Sequence, residues 1–243
     1  MRRLAVVLLS GGLDSTTAAT LAQQDGYELS ALTVRYGQVH ERELESARAV
    51  ARLLAIPHRE ADVGFFRDLA WYSALTNPEE YARPADRSPD AMAEAIPITY
   101  VPLRNTFLLT LAAALLESRA LAAIEQEPVP AADVEATIII AANAIDYSGY
   151  PDCRPEFYRA AMETLRLGSK LGTEYDIPIR VATPLIELSK ADIVSLALRI
   201  DAPLHLTWSC YSPGPTPCGR CDSCVLRAKG FAEAGASDPA LPV

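Results

Sequence analysis

The chain is short of cysteine, histidine and positive charge, and each shortage excludes something. Its 243 residues hold five cysteines and three histidines. Five thiols are too few for a disulfide scaffold. Four of them crowd between Cys210 and Cys224, so a reducing, cytoplasmic setting is expected. Lys and Arg total 22 against 31 Asp and Glu, a net charge of −9. Affinity for a phosphate backbone rests on clustered positive charge, so a general nucleic-acid binder is not expected. Long apolar runs are missing too. The best candidate, residues 107–116, is broken by Thr110 and falls short of the roughly 18 residues a membrane span needs. Arg2 and Arg3 followed by apolar residues 4–9 imitate a signal peptide, but that run is shorter than the roughly 7 to 15 residues of an h-region. A buried strand is expected there instead.

Half of the residues are hydrophobic and 22% are charged, the balance of a globular chain with an ordinary core. At roughly 100 to 200 residues per domain, the length fits one large domain, or one domain with a small appendage. The uniform apolarity of residues 4–9 is that of a central parallel strand covered on both faces. A helix is expected over 15–24, a strand over 27–34 and a helix over 41–54. In the last of these Leu44, Ala47, Val50, Ala51 and Leu54 recur at three- and four-residue steps, with Pro57 beyond. Helices over 106–122 and 189–199 and a strand over 136–142 continue the rhythm, with a surface loop at 125–133. Strand and helix alternate as in a doubly wound, mostly parallel α/β fold. Residues 67–98 break the pattern and are expected to be a long loop or lid.

Three clusters carry chemistry. The first is the turn Ser10-Gly11-Gly12-Leu13-Asp14-Ser15-Thr16-Thr17, where a strand gives way to a helix. Small residues let backbone N–H groups converge, the helix N-terminus adds partial positive charge, and the hydroxyls of Ser10, Ser15 and Thr16 can add donors. This suits a phosphate. With no lysine in the turn it is not a Walker loop; a plain turn with Asp14 or Ser15 as helix cap is the competing reading. The second is Cys210, Cys218, Cys221 and Cys224, whose spacing lets four thiolates close a tetrahedron around a structural zinc. Disulfides and an iron–sulfur cluster are the rivals. The third, residues 146–156, follows the expected strand at the carboxyl edge of the sheet, where open α/β folds bind ligands. It offers stacking tyrosines, carboxylates and Arg154. Cys153 within it is read as a buried small residue.

The string S-G-G-x-D-S after an N-terminal strand resembles the pyrophosphatase loop of the ATP-pyrophosphatase superfamily. Together with YGQVHERE (36–43), TYVPLRN (99–105), NAIDYSGYPDCRPEF (143–157), TPLIELSKADI (183–193), LTWSCY (206–211) and CGRCDSCVLRAKGF (218–231), it is similar to the QueC family of 7-cyano-7-deazaguanine synthases. The likeness runs from about residue 4 to residue 236.

That resemblance implies an adenine nucleotide alpha-hydrolase-like fold over 1–206 and a small zinc-binding subdomain over 207–243. It implies a ligase that adenylates 7-carboxy-7-deazaguanine with ATP and Mg2+, lets ammonia displace AMP, then adenylates the amide so that it dehydrates to the nitrile. Leu9, Ser10, Gly11, Gly12, Leu13, Asp14, Ser15, Thr16 and Thr17 would hold the nucleotide, and Asp14, Ser15, Arg104 and Lys190 would act in catalysis. His40, Asp146, Tyr150, Asp152 and Arg154 would meet the substrate. A homodimer is implied as well.

Three positions depart from the family pattern, Leu103, Ala141 and Ala197, each replacing a small residue or glycine. Side chains beside the motifs are expected to reshape the pocket. One alternative is therefore a diverged ligase that stops at the amide or joins the acyl group to a protein or small-molecule amine, as in anti-phage systems. Another is a non-catalytic knuckle using Arg220, Arg227 and Lys229 to bind RNA or protein.

Overall fold

A computed structural model describes residues 1–37, 41–87, 96–127, 129–143, 150–212 and 214–241. Five parallel strands, β1 (Arg2–Leu8), β2 (Glu28–Arg35), β3 (His58–Asp62), β4 (Val134–Ile139) and β5 (Ile179–Ala182), form one sheet in the order β3-β2-β1-β4-β5. All four pairings are parallel, with Val6 opposite Ser30 on one side and Ile138 on the other. The described helices are α1 (Leu13–Gln24), α2 (Glu41–Leu53), α3 (Phe66–Leu69), α4 (Arg104–Glu125), α5 (Pro155–Gly168), α6 (Lys170–Glu174), α7 (Lys190–Arg199) and α8 (Asp222–Glu233).

Successive side chains of a strand point to opposite faces, and the central strand feeds two cores in this way. Ala5 and Val7 join α1, α2, α7 and Phe231 of α8 on one face. Leu4, Val6 and Leu8 join α4, Tyr158 of α5 and Leu171 of α6 on the other. Burial on both faces is why β1 reads as an unbroken apolar run. The doubly wound α/β expectation holds.

Boundaries differ where local physics intervenes. Residues 140–142 leave the sheet instead of extending β4, and they line a cavity at its edge. The expected loop at 125–133 gives up its first residue to α4. β3, β5 and α5 had no counterpart in the sequence reading. β3 is an edge strand in which none of the five residues is fully buried, so it carries no apolar alternation. α4 is long and apolar enough to cross a bilayer by length and composition. Polar breaks at Thr110, Glu117 and Arg119 hide this from a count of uninterrupted runs. In the fold its Leu109, Ala112, Leu116 and Ala120 pack against the β1–β4 face.

The described part of 67–98 is tied down. Ser73, Ala74, Leu75 and Thr76 are buried. Ala85 bridges to Cys221, and Asp86 N–H donates to the Arg220 carbonyl at 2.9 Å. Arg83 donates to the Tyr211 carbonyl at 2.7 Å, and Arg87 pairs with buried Asp222. This segment is a strap fastened to the cysteine cluster. Residues 88–95 lie outside the described ones.

Candidate active site

The order of strand addition reverses between β1 and β4, and open α/β sheets place their ligand crevice at such a point. A cavity of about 360 Å³ opens there. The ends of β1 and β2 and the residues following β4 form its floor, and α1, α2, α4, α7 and α8 contribute charged groups.

The phosphate-type turn sits at its rim. Gly12 caps α1 with extended backbone and no side-chain cap bond, so the helix N-terminus at the cavity is not closed by a capping side chain. The competing cap reading for Asp14 and Ser15 therefore does not apply. Leu9, Ser10, Gly12, Leu13, Asp14 and Ser15 line the space. The Ser10 and Ser15 hydroxyls lie 3.0 Å apart, and Gly12 N–H donates to Ser10 Oγ at 3.3 Å. Three members of the string point elsewhere. Thr16 and Thr17 are fully buried; Thr17 donates to the Leu13 carbonyl at 2.8 Å, and Thr16 Oγ1 has no partner within the described structure. Gly11 lies beneath the turn at φ +85°, where a Cβ would strike the Glu43 carbonyl and approach Ala47 N to 2.6 Å. Only glycine lets α2 come this close.

Lys190 reaches the turn, and Arg104 lines the same cavity. Lys190 opens α7, whose N-terminus is fixed by a Ser189–Asp192 capping box, and its Nζ donates to Asp14 Oδ2 at 2.7 Å. Gly230 of α8 packs on its stem: a Cβ there would lie 3.1 Å from Lys190 Cβ and nearer still to Cγ. Arg104, the first residue of α4, lies with its guanidinium 5.9 Å from the Tyr36 ring centroid. Burial works against its charge, but Tyr36, Tyr150 and Asp152 outweigh that and hold the group firmly cationic.

The third cluster is split. Tyr150 lines the cavity and shares a 2.8 Å hydrogen bond with Thr99. Asp152 is 5% exposed, and its Oδ2 accepts from Asn105 N–H at 3.3 Å while Asn105 Nδ2 donates to its carbonyl at 3.0 Å. Burial pushes its carboxyl up against the pull of Arg104. It anchors the start of α4 rather than lining the cavity. Arg154 is exposed at the N-cap of α5, also outside the lining. Cys153 is buried as expected, and burial pushes its thiol up to about 11. His40 and Asp146 lie outside the described residues.

Glu43 and Trp208 line the cavity and were missed by residue-by-residue reading. Burial raises the Glu43 carboxyl to about 7 against the opposing pull of Arg104. Their only sequence signal was membership of the strings YGQVHERE and LTWSCY. Trp208 N–H donates to the Gly11 carbonyl at 3.0 Å, which ties the cysteine-rich segment to the turn.

Of the departures, Ala141 lines the cavity, as expected. Leu103 does not: it stands at φ +55° with its side chain 66% exposed, ahead of α4. A small residue at this point answers a backbone need, not ligand approach. Leu103→Gly is expected to leave the pocket unchanged and to stabilise the fold by up to about 1 kcal/mol by relieving the left-handed backbone, as thermal unfolding will report. Ala197 is fully buried in the core of α7, away from the cavity.

The four sulfurs of Cys210, Cys218, Cys221 and Cys224 all lie within 4.8 Å of one another. Backbone N–H groups of Ser212 and Cys218 donate to Cys210 Sγ at 3.3 and 3.2 Å, and that of Cys221 to Cys218 Sγ at 3.4 Å. Such donors favour thiolates. The nearby basic residues are engaged: Arg220 with Asp86 at 2.8 Å, buried Arg227 with Asp238 at 2.6 Å, and Lys229 with Glu233 at 3.9 Å. A free basic patch for RNA is therefore not what this surface offers.

A family model described as queuosine biosynthesis protein QueC matches residues 4–235. Proteins named 7-cyano-7-deazaguanine synthase are similar along almost the whole chain. That of Anaeromyxobacter sp. (strain Fw109-5) is 48% identical, with 98% of this chain and 96% of the relative covered. That of Thermoplasma acidophilum is 44% identical, covering 98% and 91%. The one from Trichormus variabilis is 46% identical, covering 97% and 96%. With that match over residues 4–235 and these relatives along almost its whole length, the chain belongs to the QueC family.

Proposed function

We propose that this protein is an ATP-dependent 7-cyano-7-deazaguanine synthase that converts 7-carboxy-7-deazaguanine and ammonia to the nitrile, releasing AMP and pyrophosphate. The observation that carries the reading is the uncapped α1 N-terminus facing a cavity that also holds Lys190 and Arg104. A carboxylate is a poor electrophile and hydroxide a poor leaving group, so the substrate oxygen must first be joined to a phosphoryl group that departs easily. The Ser10–Ser15 turn is suited to the pyrophosphate end of ATP through its N–H groups and hydroxyls. Lys190 and Arg104 offset charge that builds at the α-phosphorus as the substrate oxygen attacks it. Asp14, paired to Lys190, holds the ammonium head at the rim; it and Ser15 are the oxygen donors at hand for Mg2+, which supplies charge compensation on phosphates. Tyr150 and Tyr36 offer faces for the flat heterocycle. The amide oxygen is activated in the same way, and loss of its two N–H protons gives the nitrile.

The cysteine cluster fits zinc: sulfurs about 3.8 Å apart are what a tetrahedron with bonds of about 2.3 Å requires, and four thiolates leave no open position. In this reading residues 207–243 are a structural subdomain, the protein is a cytoplasmic homodimer, and neither nucleic acid nor membrane takes part.

Lys190→Ala is expected to lower kcat/KM by about 100- to 1,000-fold, the scale for removing one transition-state charge partner, while circular dichroism stays unchanged. The activity itself is checked by incubating protein, ATP, ammonium and 7-carboxy-7-deazaguanine, then weighing the product. The nitrile with two AMP released is expected; an amide with one AMP, or an acyl group carried on another amine, contradicts it.

A further inference from the structure

Among the described residues, two carboxylate side chains line the cavity, those of Asp14 and Glu43. Asp14 is engaged by Lys190 at 2.7 Å. Glu43 has no hydrogen-bond or ion-pair partner among the described residues, and the charge that acts on it is that of Arg104. Its place is fixed by the backbone: the Glu43 carbonyl and Ala47 N close over Gly11, so the first turn of α2 cannot move away from the phosphate turn without dismantling the contact. A carboxylate is thereby held in the cavity where the substrate carboxyl is activated.

The proposed reaction needs a group of this kind. Its nitrogen donor is a cation at neutral pH, and a cation has no lone pair with which to attack. We propose that Glu43 binds the ammonium donor in the cavity and takes one proton from it, freeing ammonia beside the adenylated carboxyl carbon. This deepens the function proposed above and rests on it. The step balances: one N–H bond of ammonium breaks and its proton passes to the Glu43 carboxylate, and the nitrogen lone pair forms the C–N bond. The C–O bond to AMP breaks with its electrons on the phosphate oxygen. A second N–H proton leaves to solvent, and Glu43 returns its own there before the next turnover.

Two other described groups near the cavity suit the task less well. Asp152 is directed to the start of α4, and the Cys153 thiol stays protonated. The raised affinity of Glu43 for a proton agrees with its role, since an acceptor works best when its pKa lies near the working pH.

The test compares two nucleophiles. Hydroxylamine is uncharged at neutral pH and attacks an acyl adenylate without first losing a proton. In Glu43→Gln, amide formation from ammonium is expected to fall by about 100-fold or more, the range for loss of a general base, while hydroxamate formation falls far less. Glu43→Asp, with its carboxylate set back by one methylene, is expected to lie between. A ratio of the two rates equal to that of the unaltered protein, whether both fall or neither does, overturns the inference. Unaltered protein that yields neither product from 7-carboxy-7-deazaguanine and ATP overturns the activity itself, and this inference with it.

Discussion

Gly11→Ala is expected to lower stability by about 3 kcal/mol and to weaken ATP binding by at least tenfold. Two costs combine. A residue with a Cβ held at φ +85° loses on the order of 1 to 2 kcal/mol. The Cβ also meets backbone, the Glu43 carbonyl and Ala47 N, rather than a side-chain end that can swing aside. Forcing α2 outwards adds roughly 1 to 3 kcal/mol of overpacking strain. For a chain of this size that total lowers Tm by about 6 to 12 °C. The binding loss is expected because the displaced residue lies between Ser10 and Gly12, which line the cavity in the turn proposed to hold the phosphates. Gly26 supplies the comparison: it too has positive φ, +79°, but nothing lies within 4 Å of its would-be Cβ. Gly26→Ala is expected to cost only about 1 kcal/mol and to bind ATP normally. Thermal unfolding with and without ATP separates the two variants, and equal behaviour would refute the close-approach argument.

Removal of the zinc proposed for the cysteine cluster has the second large expected effect, and it is expected to reach the proposed nucleotide site. The small core of the cluster consists of Trp208, Cys210, Cys221 and Cys224. Four thiolates brought together without a cation repel one another, so the apo segment is expected to open, with several kcal/mol lost. Three connections carry that loss inward. Trp208 holds the Gly11 carbonyl, Gly230 of α8 backs the Lys190 stem, and the strap at 83–87 is fastened to Tyr211, Arg220 and Asp222. Chelation, or Cys224→Ser, is expected to lower Tm by more than 10 °C and to abolish ATP binding together with activity. Restored zinc recovers all three in the chelated protein. Full ATP affinity in metal-free protein would mean that the subdomain only decorates the fold.

Much of this architecture was legible in the sequence because burial on two faces leaves an unmistakable run, as in β1, and because α2 carries a clean apolar stripe. β3 escaped because an edge strand such as His58–Asp62 has no core to face. α5 escaped because its segment begins with loop-like Arg154 and Pro155 and buries one residue fully, Tyr158. At the site, the phosphate turn and Lys190 were readable from motif strings, and the structure brings them together. Sequence spacing does not tell which way a side chain turns. Thr16 and Thr17 therefore looked like ligands while facing the core, and Asp152 looked like a substrate contact while holding Asn105. Glu43 and Trp208 come from distant segments, and only the fold places them beside Gly11.

The central claim is that oxygen of the substrate carboxylate attacks the α-phosphorus of ATP held by the turn after β1. It is tested most directly with 7-carboxy-7-deazaguanine labelled with 18O in its carboxylate, followed by mass analysis of the nucleotide products. Attack at the α-phosphorus places an 18O atom in AMP and leaves pyrophosphate unlabelled. Label in inorganic phosphate with ADP as the nucleotide product would contradict it.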